Sequence, residues 1–112
     1  MKKIILLNSA VMPNEGVYVL RKITPERAKE IVKNKETISF IGYPDTARFI
    51  EKVLGVTVPI NREKVVFQEG DVAIVCKLKY RVRNPKDKGR FTPEPDDYEW
   101  YLEKYSKEMP IE

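Results

Sequence analysis

Apolar and polar positions alternate along the chain in blocks that change period, and the changes mark the elements. Residues 3 to 7, Lys-Ile-Ile-Leu-Leu, form a short continuous apolar run, the pattern of a central strand buried on both faces. Asn8-Ser9-Ala10 ends it, and Pro13-Asn14-Glu15-Gly16 reads as a turn. From Val17 to Ile23 the period is two, with Val17, Val19 and Arg21 opposing Tyr18, Leu20 and Lys22: a second strand. Thr24-Pro25-Glu26 is a helix start, with Thr as N-cap, Pro at the first helical position and an acid in the first turn. Ala28, Ile31 and Val32 make its buried stripe, and Thr37 to Ile41 is a third strand.

Pro44 opens a second helix, in which Thr46, Ala47, Phe49, Ile50, Val53 and Leu54 share one face. Arg48, Glu51 and Lys52 point outward, and Gly55 is placed to close it. Val65 to Phe67 reads as a short strand and Glu69-Gly70-Asp71 as a turn. Val72 to Arg83 is the most regular alternation: Val72, Ile74, Cys76, Leu78, Tyr80 and Val82 on one face, with Lys77, Lys79, Arg81 and Arg83 on the other. Asn84 to Asp97 holds Pro85, Gly89, Pro93 and Pro95 and reads as a surface loop. The aromatic content of Tyr98 to Tyr105 favours a closing strand. Strands alternating with helices predict one α/β domain over residues 1 to 112, a mixed sheet of about five strands flanked by helices.

Composition narrows the function classes. The chain has 112 residues, 42% hydrophobic and 34% charged, enough for one modest core on a soluble surface. A net charge of +4 permits a polyanionic partner without demanding one. The one cysteine, Cys76, cannot form an internal disulfide and sits in an apolar alternation, so it reads as a buried thiol. The apolar run after Lys2-Lys3 is too short for a signal peptide, and no segment approaches the ~20 apolar residues that span a bilayer. A cytoplasmic protein is the expectation. High Lys and Glu with few Cys and Met suits a heat-adapted host. There is no histidine at all, which removes the commonest general acid at neutral pH. No zinc spacing, nucleophile elbow or phosphate-loop motif is present, so neither metal nor cofactor is expected.

Three features could carry chemistry. The ladder Lys77, Lys79, Arg81 and Arg83 spaces its cations roughly 7 Å apart, close to the repeat of phosphates along a nucleotide strand. A guarded edge strand or a solvated face would look the same, but the stripe runs on into Lys86, Lys88 and Arg90. The Gly42-Tyr43-Pro44 turn puts Tyr43 at an N-cap position usually given to Ser, Thr, Asn or Asp. Helix amides left uncapped there suit an anion, although Asp45 serves the same dipole and would repel one. An ordinary helix start with Tyr43 packed on the sheet remains the alternative. Asn8 ends a buried strand, where open α/β sheets gather ligands, and Asn61-Arg62 closes a return loop after Pro59.

Assembled, these residues resemble the viral type III anti-CRISPR ring-nuclease family. Its strand ending Leu-x-Asn-Ala is matched by Leu6-Leu7-Asn8-Ser9-Ala10, and its Ile-Gly-His-x-x-Thr by Ile41-Gly42-Tyr43-Pro44-Asp45-Thr46. Its Gly-Thr-x-x-x-x-Asn-Arg return is matched by Gly55 to Arg62, and its strand-end Arg-Leu pair by Arg81-Val82. The similarity runs over residues 1 to 83. It implies a homodimer that binds cyclic tetra-adenylate in a basic pocket across the two-fold axis. It also implies metal-independent cleavage: a ribose 2′-hydroxyl attacks the neighbouring phosphodiester, an acid protonates the leaving 5′-oxygen, and a strand-end arginine holds the phosphate. By this resemblance Tyr43 and Arg81 take the catalytic positions. Asn8, Ser9, Gly42, Asp45, Thr46, Asn61, Arg62, Lys79 and Arg83 take the ligand-binding ones.

The departure is at the decisive position, where the family's histidine is Tyr43, followed by Pro44. A phenol stays protonated at neutral pH and can donate a proton, but it is a poorer acid than imidazolium. It can equally stack on a base. Two readings follow for the same surface: a sponge or slow ring nuclease for a cyclic oligonucleotide messenger, in the cytoplasm of a host cell if the gene is viral, or a basic dimer binding DNA or RNA. A third is a protein-binding inhibitor of a host defence system using the aromatic segment from Glu94 to Tyr105, since exposed Tyr and Trp favour interfaces.

Overall fold

A computed structural model of the chain describes residues 3–79 and 95–107. Five strands and two α-helices follow in the order β1 (Ile4–Leu7), β2 (Val17–Ile23), α1 (Pro25–Val32), β3 (Thr37–Ser39), α2 (Pro44–Leu54), β4 (Val72–Leu78) and β5 (Tyr98–Ser106), with a short 3-10 turn at Pro95–Asp97. The strands form one mixed sheet in the spatial order β2-β5-β4-β1-β3. β1 runs parallel to both β3 and β4, while β5 is antiparallel to β4 and β2. This is the expected α/β class, and the closing strand forms as its aromatic content suggested.

Burial follows the run that opens the chain. All four residues of β1 are buried, alternating between two clusters. Ile4 and Leu6 join Ile74, Cys76, Tyr98 and Trp100 beneath Ala28 and Val32 of α1 and Ala47, Ile50 and Leu54 of α2. Ile5 and Leu7 join Ala73, Val75, Tyr105, Val65 and Phe67 on the opposite face. Both described α-helices therefore lie on one side of the sheet, and among the described residues connecting segments cover the other. Burial pushes the Cys76 thiol far up, as expected for an inert core cysteine.

The helices begin and end where their end residues dictate. The Thr24 hydroxyl accepts from the Arg27 N–H at 3.1 Å, capping α1. Gly55, at φ 71°, closes α2 in the left-handed region, its N–H donating to the Glu51 carbonyl.

The helix-free face is held by Asn14. Its side-chain amide donates to the Phe67 carbonyl at 3.1 Å and to the Tyr105 hydroxyl at 2.9 Å, and its Oδ1 accepts from the Phe67 N–H at 3.1 Å. Phe67 is thereby set edge-on against Tyr18, with ring centroids 5.5 Å apart. Gly16, at φ 147°, lies so close to β5 that a Cβ there would meet the Tyr105 ring and sit 2.6 Å from the Ser106 carbonyl.

Three boundaries differ from the sequence reading. β3 ends at Ser39 rather than Ile41, because the Ile41 carbonyl is taken by the Asn61 N–H of the return loop. Val65 to Phe67 is not a strand: the Phe67 N–H bonds the Asn14 side chain instead of a ladder partner. β4 ends at Leu78, and the Lys79 N–H bonds the Asp97 carbonyl. The continuation predicted from Tyr80 to Arg83 and most of the predicted loop lie outside the described residues.

Glu103 is the anomaly of the sheet. It is 2% exposed, on the face shared with Ala73 and Tyr105, and its Oε1 meets no hydrogen-bond partner. Burial lifts its carboxyl to about 7. The pairing register puts Leu20 and Ala73 opposite it, Tyr18 and Lys22 on the same face of β2, and Lys77 on that of β4. A carboxyl whose folded-state value is raised stabilises the fold fully below its ordinary range and loses that contribution as pH climbs through the raised value. Glu103→Gln should therefore flatten the loss of stability between pH 5 and pH 8.5. The stability gap in its favour should grow to about 1–2 kcal/mol at the alkaline end, allowing for solvent relaxation. Thermal melts of both proteins across that range check it; parallel pH profiles would refute the assignment.

Candidate ligand site at the carboxyl edge of the parallel strands

Three strands run parallel, β3, β1 and β4, and the residues that leave their carboxyl ends collect along one edge of the sheet. Asn8 and Ser9 leave β1, and Phe40 to Tyr43 leave β3. Continuing the Leu7–Val75 register two residues on brings Lys77 level with Ser9, with Lys79 just beyond β4. Open α/β sheets bind ligands at this edge because loops there diverge and helix N-termini face inward.

The turn into α2 has the features the sequence suggested. Tyr43 is the N-cap in extended conformation, with no side-chain capping bond, and is 57% exposed rather than packed on the sheet. Pro44 fills the first helical position, where an N–H would be unsatisfied anyway. Asp45 pairs with Arg48 at 2.6 Å on the exposed side of the first turn. Thr46 points the other way, buried in the core.

Arg62 reaches this turn from the return loop. Its Nε–H donates to the Gly42 carbonyl at 3.2 Å, and its stem lies over Gly42 so closely that an added Cβ would be 3.1 Å from Arg62 Cγ. Two anchors hold the loop for that approach. The Glu51 carboxylate of α2 accepts from the Val58 N–H at 2.8 Å, so Glu51 serves the loop rather than solvent alone. Asn61 donates from its side chain to the Ser39 carbonyl at 2.9 Å and accepts from the Glu63 N–H at 2.9 Å. Both ends of the Asn61 amide are engaged within the protein, which makes it a bracket for Arg62.

The structure thus brings together Asn8, Ser9, Gly42, Tyr43, Asp45, Arg62 and Lys79 along one edge, with Asn61 as support and Thr46 turned inward. Arg81 and Arg83, and with them half of the basic ladder, lie outside the described residues. Lys77 and Lys79 are exposed. Among the described residues no group of His, Cys, Asp or Glu could hold a metal ion, and no helix is long and apolar enough to cross a membrane.

The aromatic segment has a different role from the one expected of an interface. Tyr98, Trp100 and Tyr105 are all buried, and Tyr98 stacks on Phe49 of α2 with centroids 4.3 Å apart. Tyr98 and Trp100 pack on the helix side of the sheet and Tyr105 on the opposite side, so both faces of β5 are covered. Sequence reading missed the Tyr98 hydroxyl, which is buried beside Thr46 without a hydrogen-bond partner. Burial raises it, and Thr46 works in the opposite direction. Phe40 and Glu103 were also missed. Their signal was present: Phe40 continues the alternation of β3, and Glu103 occupies an inward position of β5.

The fold defines a small α/β protein with Arg62, Lys77 and Lys79 exposed near the carboxyl ends of its parallel strands. The chain belongs to the STIV B116-like family, whose model matches residues 4–94. It is 35% identical over 82 residues to uncharacterized protein ORF117 of Acidianus two-tailed virus, covering 69% of this chain and 70% of that protein. Over 85 residues it is 33% identical to uncharacterized protein 26 of a Sulfolobus islandicus filamentous virus, covering 72% of each. Bacillus subtilis YddF, also uncharacterized, is 38% identical over 78 residues, covering 68% of this chain and 72% of that one. The structure of B116 of Sulfolobus turreted icosahedral virus superposes with a TM-score of 0.63 at 19% identity, over 91% of this chain and 98% of that one, a likeness of fold.

Two substitutions separate support from filling. Asn61→Ala removes one long-range side-chain bond, to Ser39, and one local bond, from Glu63, and should cost about 1–3 kcal/mol, because the Ser39 carbonyl is left with one partner fewer. Tyr98→Phe removes a hydroxyl that lies beside the Thr46 side chain and meets no partner in good hydrogen-bond geometry, and should leave stability unchanged or raise it by up to about 1 kcal/mol. Denaturant unfolding of both variants checks the pair; a large loss in Tyr98→Phe would mean that the hydroxyl has a partner.

Proposed function

We propose that this protein binds a cyclic oligonucleotide messenger, cyclic tetra-adenylate or a relative, across a homodimer, and acts as a sponge or slow metal-independent ring nuclease in type III CRISPR signalling. The observation that carries the reading is the junction at Gly42. An uncapped helix N-terminus, an exposed phenol and an arginine stem meet there, with Asn8 at the neighbouring strand end and Lys77 and Lys79 at the end of β4 and just beyond it. Such a junction suits a phosphodiester: helix amides and Arg62 offer positive potential, and Lys77 and Lys79 extend it toward a second phosphate.

Cleavage at this site would need little from the protein beyond geometry. The nucleophile is the substrate's own 2′-hydroxyl, which loses its proton to solvent as it attacks the adjacent phosphorus, closes a 2′,3′-cyclic phosphate and expels the 5′-oxygen. Tyr43 is the exposed group at the turn able to protonate that oxygen, and its freedom from capping leaves its hydroxyl available. General acid catalysis is typically worth about 10²–10⁴-fold, and a phenol delivers less of it than imidazolium. Positioning and charge stabilisation by Arg62 and Arg81 would supply the remainder.

Purified protein incubated with cyclic tetra-adenylate should bind it by calorimetry, and column analysis of the mixture then separates sponge from nuclease. Tyr43→Phe should lower any cleavage at least tenfold with binding retained; equal loss of both would make Tyr43 a stacking residue. Arg81→Ala should weaken binding at least tenfold, and unchanged affinity would remove it from the site. No binding of the ring, with strong salt-sensitive binding of duplex instead, would replace this reading with the nucleic-acid one.

A further inference from the structure

On the helix-free side of the same edge, β1 and β3 leave an open pocket of about 230 Å³ whose apolar walls include Leu7, Val11, Phe40 and Val65. Asn8 and Lys64 stand at its polar margin, with Ser9 and Glu63. We infer that this pocket is a nucleobase subsite, in which a purine stacks on Phe40 while Asn8 reads its edge. The inference rests on the nucleotide reading above and adds to it a place for the base.

Size comes first. A dry cavity of ~150 Å³ accepts a benzene-sized ring, whereas sites for whole drug-sized ligands start near ~300 Å³. The space here therefore suits one fused-ring base and not a whole nucleotide. Chemistry comes second. Phe40 is half-buried and lines the opening, and its N–H bonds the Leu6 carbonyl at 3.0 Å, which anchors its backbone at the strand end. An Asn amide can donate to and accept from the same adenine edge, a pairing that an aliphatic ligand could not use. Continuity comes third. Gly42 lies two positions after Phe40, and Lys64 two positions beyond Arg62. Two extended residues span about 7 Å, so a base against Phe40 has its own phosphate within reach of the Gly42–Arg62 junction.

The test compares adenosine 5′-monophosphate with ribose 5-phosphate, which carries the same charge without the base, on wild type, Phe40→Ala, Phe40→Tyr and Val11→Trp. Cyclic tetra-adenylate is titrated in parallel, and melting curves show which variants fold. Wild type should prefer the nucleotide by roughly ten- to hundredfold, the range expected of base–aromatic stacking. Phe40→Ala should erase that preference, Phe40→Tyr should keep it, and Val11→Trp, which fills the pocket from its rim, should erase it even if Phe40→Ala fails to fold. Equal binding of the two probes by wild type, or a preference that survives in a folded Phe40→Ala or Val11→Trp, overturns the subsite. If the cyclic ring binds while the preference is absent, the subsite falls and the messenger reading stands. If the preference is present and lost on substitution while the ring does not bind, the messenger falls and the base subsite stands.

Discussion

Everything in this molecule depends on β1 being buried on both faces. Four consecutive apolar side chains cannot be covered by one layer, so the strand needs helices on one side and connecting segments on the other. Its two neighbours are parallel to it, which obliges the chain to cross over through α1 and α2 before it can pair again. Three carboxyl ends then open at one edge, and the N-terminus of α2 comes to the same edge. The site is a consequence of that topology before any polar residue is considered.

The polar residues refine it through short brackets. Glu51 holds Val58, Asn61 holds Ser39 and Ile41, and Arg62 then has one place to lie, over Gly42. Gly42 is needed for that close approach and not for an unusual backbone angle, since it is absent from the positive-φ glycines. On the other face Asn14 does comparable work, tying the covering segment to Tyr18, Phe67 and Tyr105. Two asparagines thus fix the two layers that flank β1, each through bonds to backbone that no period or charge pattern reveals.

This explains which parts were legible in the sequence. The strands, both helices and their caps were readable because period, Thr24, Pro25, Pro44 and Gly55 act locally. The uncapped Tyr43 was readable for the same reason. What could not be read was long-range: that Ile41 gives its carbonyl to Asn61 and so ends β3 early, that Phe67 is bonded by Asn14 rather than by a strand, and that the rings of β5 turn inward. Asn61 illustrates the limit. As a loop Asn beside Arg it looked like a ligand contact, and only the position of Ser39, 22 residues away, makes it a structural bracket.

On the proposed reading, a phenol at residue 43, where a histidine acid would be expected, gives the site its particular balance. An imidazole at that position would contribute through proton transfer, a benefit realised only in the transition state. A phenol retains the hydrogen-bond donor and enlarges the flat apolar surface, so it adds to ground-state affinity as readily as to turnover. Pro44 fixes the helix entry while leaving one N–H fewer among the free donors of the turn, so it does not itself tighten the hold on an anion. Interactions that favour bound substrate and transition state equally tighten binding without raising the rate of the chemical step. On the proposed reading, Tyr43 therefore moves the site away from fast turnover and toward retention, and the sponge is the form of the activity that this residue favours.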